Sequence, residues 1–123
     1  MRYMTEWKKK LAMADSNVTK RVLGMLGLAM KAGKVVIGTE QVIAFLGKGR
    51  LKLVLVSSSA SDGTKKKMLH KCEFYKTRLS ELDIETDELG RLLGKTYTPA
   101  VVGVTDENFA CAITKIMDSE NTQ

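Results

Sequence analysis

The chain has 123 residues, 44% of them hydrophobic, which suits one domain with one sizeable core and excludes a disordered chain. Net charge is +6, and it is uneven: 17 of the 20 Lys/Arg fall at or before Arg78, while 9 of the 14 Asp/Glu follow it. A phosphate backbone is the natural counterpart of the basic two-thirds.

Residues 1–15 read as an N-terminal extension, with Lys8, Lys9 and Lys10 as a solvated run and Trp7 as a tether. Residues 16–118 read as a single domain and 119–123 as a tail. Ser16 or Asn17 caps a first helix to about Ala32, on which Val22, Met25, Leu26 and Ala29 share one face. Gly33 stops it, since glycine readily takes the left-handed conformation past a helix end. Val35-Val36-Ile37 is a short strand. Thr39 to about Leu46 is a second helix, with Val42, Ile43 and Leu46 inward and Gly47 and Gly49 as breakers. The nearly continuous apolar run from Leu51 to Val56 predicts a strand covered on both faces. Ser61 or Asp62 caps a third helix through about Tyr75. Its apolar stripe is Met68, Leu69, Cys72 and Tyr75, with Lys65, Lys66, Lys67 and Lys71 outside it. Leu79 to Leu82 is a further strand. Thr86 caps a fourth helix that Gly94 closes. Ala100 to Val104 is the last strand, and Thr105 caps the last helix, whose inner face is Phe109, Ala112, Ile113 and Ile116. The alternation of helix and strand predicts a layered α/β/α sandwich.

The chemistry concentrates at Gly38-Thr39-Glu40-Gln41, between the first strand and the second helix. Glycine permits close backbone approach, and the N–H groups of a helix start favour an anion. Glu40 and Gln41 can hydrogen-bond the edges of exposed bases, with Lys31 and Lys34 upstream for phosphates. No catalytic constellation accompanies this. His70 is the single histidine and reads as a surface residue. Cys72 and Cys111 have no metal-ligand spacing. Gly47-Lys48-Gly49-Arg50 precedes a strand rather than a helix. Gly63-Thr64-Lys65 lacks the spaced glycines of a nucleotide loop. The expectation is therefore no enzyme, no cofactor and no metal. With neither a secretory run nor a membrane span, the chain is expected to be cytoplasmic, with both thiols reduced and buried.

Several runs taken together carry a resemblance. They are Leu26-Gly27-Leu28-Ala29-Met30-Lys31-Ala32-Gly33-Lys34, Gly38-Thr39-Glu40-Gln41, Leu51 to Val56, and Ala60 to Lys67. Lys71-Cys72, Glu88-Leu89-Gly90, Gly94-Lys95 and Val104 to Ala110 complete the set. Over roughly residues 20 to 117 the chain resembles the kink-turn-binding ribosomal protein superfamily, in its bacterial YlxQ-like branch. The resemblance implies a three-layer α/β/α fold with a mixed four-stranded sheet. It also implies binding to kink-turn RNA, a sharply bent duplex with sheared G·A pairs beside a bulge. The turn at Gly38 to Gln41 would meet the sheared pairs. The strongest binders carry Asn-Glu where this chain has Glu40-Gln41, and often Lys where it has Ala44. The loop Lys95-Thr96-Tyr97-Thr98-Pro99 would cover the bulge, where Tyr97 can stack on a base and Pro99 stiffens the chain.

The function expected is a non-catalytic RNA-binding protein, monomeric, acting on a ribosomal RNA or a messenger leader, with the ribosome as a further partner and no membrane. Its RNA-binding residues are Lys31, Lys34, Gly38, Thr39, Glu40, Gln41 and Lys95, Thr96, Tyr97, Thr98, Pro99. Lys65 and Lys66 are further phosphate contacts. The alternative is a protein–protein adaptor of the translation apparatus, docking through the acidic last third, with weak and structure-indifferent RNA affinity.

Overall fold

The computed structural model describes residues 16–95 and 98–121. In chain order the elements are α1 (Ser16–Lys31), β1 (Val35–Ile37), α2 (Thr39–Gly47), β2 (Leu53–Ser57), α3 (Asp62–Phe74), β3 (Arg78–Leu82), α4 (Thr86–Leu92), β4 (Val101–Val104) and α5 (Glu107–Asn121). The strands make one mixed sheet in the order β1-β4-β2-β3. β4 runs antiparallel to both neighbours, and β3 runs parallel to β2.

The central strand β2 is buried at every residue. Successive side chains of a strand point to opposite faces, so one apolar run serves two cores. Leu53 and Leu55 join Val18, Val22 and Leu26 of α1, Leu89 of α4 and Ile113 and Met117 of α5. Val54 and Val56 join Val42 and Leu46 of α2 and Met68 and Cys72 of α3. These two clusters define the three layers expected from the helix–strand alternation. A one-residue slip of β2 would exchange both sets, which pins its register.

Local chemistry moves several boundaries. Ser61 caps α3, its Oγ accepting from the Thr64 N–H at 3.2 Å. Thr86 does not cap α4; Glu85 precedes the helix without a side-chain cap, and the Thr86 N–H donates to Ser59 Oγ at 3.0 Å instead. Asp106, not Thr105, caps α5, its Oδ2 accepting from the Phe109 N–H at 3.0 Å. Thr105 is engaged elsewhere, donating from its N–H and its Oγ1 to the Lys34 carbonyl. The buried stripe of α5 is Ala110, Ile113 and Met117, because the helix lies against α1 as well as the sheet; Phe109, Ala112 and Ile116 flank it. Cys111 falls outside that stripe and is exposed, contrary to expectation, whereas Cys72 is buried. Tyr75 ends α3 rather than lining its core and is 38% exposed. Among the described residues no helix is long and apolar enough to cross a membrane.

Candidate nucleic-acid interface

The turn between β1 and α2 depends on Gly38, whose φ of 102° and ψ of 146° lie where side chains are rarely tolerated. A Cβ there would meet nothing within 4 Å, so the dihedral, not crowding, requires glycine. Its carbonyl accepts from the Val42 N–H at 2.9 Å and starts the helix. No side chain caps α2. Its first N–H groups therefore have no side-chain cap, on the side of the helix dipole that favours an anion, although Glu40 in the first turn partly offsets that positive end. Glu40 and Gln41 are exposed beside it, and Thr39 is half-buried.

The Gly38 N–H donates to the Val101 carbonyl at 2.9 Å. That bond ties the start of α2 to the first residue of β4, directly after the segment 98–100 that leads into the strand. The next carbonyl back, on Ala100, accepts from the Ser57 N–H at 2.8 Å, so the C-terminal end of β2 lies at the same end of the sheet. On this segment Thr98 is exposed and Lys95 half-exposed. Pro99 is buried, which takes its ring away from direct contact with RNA, a correction to its place among the expected contacts. Thr96 and Tyr97 lie outside the described residues, as do Trp7 and Lys8 to Lys10 of the extension.

Other expected contacts separate from this cluster. Lys31 and Lys34 are exposed but precede β1, whereas Gly38 follows it; a three-residue strand spans about 10 Å. They flank the turn rather than meet it. Lys66 is exposed at the start of α3. Lys65 is only 3% exposed, so, contrary to expectation, its ammonium is not accessible to a phosphate. Its ammonium donates to the Ser58 carbonyl at 2.8 Å and lies 3.6 Å from Glu81 Oε1, itself buried on β3. Spacing alone hides this pair, although an acid inside a strand is a cue to look for a buried cation.

Burial pushes the Cys72 thiol up to about 12, which removes it as a nucleophile near neutral pH. Among the described residues no group of three His, Cys, Asp or Glu is placed to hold a metal ion. His70 is exposed on α3, as expected.

Residues 20–114 match the ribosomal protein L7Ae/L30e/S12e/Gadd45 family. The RNA-binding protein YlxQ of Bacillus subtilis (strain 168) is 40% identical over 94 residues, which cover 76% of this chain and 92% of that protein. The RNA-binding protein YlxQ of Enterococcus faecium is 36% identical over 91 residues, 74% of this chain and 85% of that one. A solved structure of a protein with unknown function from Bacillus halodurans C matches with a TM-score of 0.72 at 36% identity, covering 79% of this chain and 96% of that chain. The Giardia lamblia 15.5kD RNA binding protein shares the fold, with a TM-score of 0.71 at 13% identity over 85% of this chain and 88% of that one. The match runs from α1 into α5 and takes in both the Gly38 turn and the segment before β4, so this chain belongs to the ribosomal protein L7Ae/L30e/S12e/Gadd45 family.

Proposed function

We propose that the protein is a non-catalytic RNA-binding protein that recognises kink-turn RNA and holds it bent. The observation that carries this reading is the Gly38–Val101 hydrogen bond, which joins the uncapped start of α2 to the first residue of β4, directly after the segment that carries Thr98. Glu40 and Gln41 at that helix start and Thr98, three residues before Val101, are each exposed, which is what a shared RNA-facing surface requires. The names of the YlxQ relatives support RNA as the partner.

On this reading Glu40 accepts hydrogen bonds from guanine amino or imino groups, and Gln41 both donates and accepts at the sheared pairs. The α2 N-terminus faces a phosphate, while Lys31, Lys34 and Lys66 supply longer-range attraction. Free kink-turn RNA exchanges between extended and bent shapes, and a protein that binds only the bent one shifts the population toward it. The RNA is a ribosomal RNA or a messenger leader, met in the cytoplasm by a monomer.

The test is calorimetric titration of a kink-turn RNA beside a control whose G·A pairs are replaced by Watson–Crick pairs, at two salt concentrations. Strong preference for the kink-turn, weakening as salt rises, is expected. Equal affinity for both would overturn the reading and put a protein-docking role in its place.

A further inference from the structure

A second basic surface lies where α2 and α3 end, at the opposite termini of those helices from the Gly38 turn and the Ser61 cap. Just past α2, Lys48 and Arg50 are exposed and hold their charges over the Phe45 ring, 5.6 and 5.2 Å from its centroid. At the end of α3, Phe74 is 76% exposed, and its ring meets Tyr75 edge-on, with centroids 4.9 Å apart and planes at 88°. Tyr75 links the two helix ends, since its Oη would stand 3.6 Å from a Cβ on Gly47.

Lys76 follows with a φ of 56°. Its N–H donates to the Glu73 carbonyl, and the Thr77 N–H donates to the Cys72 carbonyl at 2.9 Å. That is a left-handed helix ending, a position glycine usually takes. An exposed lysine stands there instead. Beside it, a depression of about 380 Å³ is lined in part by Leu69, Cys72, Lys76, Thr77 and Leu79.

The charge balance favours an anion. Arg78 is excluded from it, because Asp118 takes its guanidinium through two hydrogen bonds of 2.8 and 3.1 Å. Lys48, Arg50, Lys71 and Lys76 remain, against Glu73 and the partial negative ends of two helices. With roughly half a charge per helix end, about two positive charges are left over. A single exposed phenylalanine needs no explanation. An exposed ring propped by a second ring, on a surface that also carries Lys48, Arg50 and Lys76, has the composition of a single-strand platform, where bases stack and phosphates are neutralised.

We propose that this end of the domain binds single-stranded RNA, with a base stacked on Phe74 and phosphates held by Lys48, Arg50 and Lys76. Stacking requires an unpaired base, and every base has a π-face, so the contact tolerates any sequence. The proposal is independent of kink-turn recognition at the Gly38 turn.

Fluorescence anisotropy with a short unstructured RNA oligonucleotide of mixed sequence, and separately with a blunt kink-turn duplex, tests it. Phe74→Ala should weaken oligonucleotide binding about tenfold and leave the duplex unaffected, while Phe74→Tyr retains both. The triple variant Lys48→Gln, Arg50→Gln, Lys76→Gln should make the dependence of log K on log salt shallower by about two units, at roughly 0.7 per phosphate contact. All substituted side chains are exposed, and matching thermal midpoints confirm intact folding. The proposal is overturned if the wild type does not bind the oligonucleotide. It is equally overturned if Phe74→Ala binds as the wild type does, or if an acidic peptide occupies the patch while the oligonucleotide does not.

Discussion

Leu51 rests on the bare backbone of Gly103: a Cβ on Gly103 would stand 2.9 Å from both Leu51 Cδ atoms and 3.4 Å from its Cγ. Gly103 is paired with Val36 on one side and Val54 on the other, so its backbone cannot retreat. Leu51 is itself buried. Gly103→Ala should therefore lower stability by about 1–3 kcal/mol through overpacking, measured by urea denaturation. In a Leu51→Ala background the added methyl finds room, and the loss should shrink. An equal loss in both backgrounds would show that Leu51 is not the obstacle.

The Lys65–Glu81 pair gives a second expectation. Lys65→Met leaves a buried carboxylate with no cation beside it and should cost about 3–5 kcal/mol. Adding Glu81→Leu removes the stranded charge and should recover most of that loss. Additive losses in the double variant would contradict a coupled pair.

At the turn, Gln41 is exposed, so Gln41→Ala should leave the urea midpoint unchanged within about 0.5 kcal/mol. Kink-turn affinity should fall about tenfold, the effect of losing hydrogen bonds worth roughly 1–2 kcal/mol in all. Unchanged affinity in calorimetry would remove Gln41 from the interface.

Arg78 holds the Asp118 carboxyl below its ordinary range through their hydrogen bonds. A carboxyl lowered by folding stabilises above its unfolded value, about 3.9, and that contribution is lost as pH falls through the folded value. Both side chains are well exposed, at 40% and 51%, so the pair contributes only about 0–1 kcal/mol near neutrality. Asp118→Asn should barely move the neutral thermal midpoint and should slightly reduce the stability lost below about pH 4. A large loss at neutral pH would mean the pair does more than its exposure allows.

Thiol labelling separates the two cysteines. The exposed Cys111 should react in the native protein, and Cys72 only after unfolding, because it is buried and its thiol is pushed up to about 12. Native protein should titrate as one thiol and denatured protein as two.

Leu53 to Val56 declare their place in the sequence, because only a strand between two helix layers requires apolar residues on both faces. Gly38 is legible for a similar reason: a glycine between a strand and a helix marks a backbone conformation that other residues resist. Lys65 is not legible. Within three consecutive lysines on a polar helix, nothing local distinguishes the one that meets Glu81 on β3. Tyr75 and Cys111 mislead because helical spacing gives a face to within a residue or so, whereas burial depends on which neighbours cover that face. Pro99 reads as a loop residue from its neighbours and is buried because the Gly38–Val101 and Ser57–Ala100 bonds draw its segment onto the sheet.

The hydrogen bond from Gly38 to Val101 also decides where disorder is lost when a partner arrives. The start of α2 is clamped to an interior strand, so its conformational entropy is surrendered during folding. On the proposed function the protein then offers a pre-ordered surface, and the RNA that docks against it would carry the reorganisation.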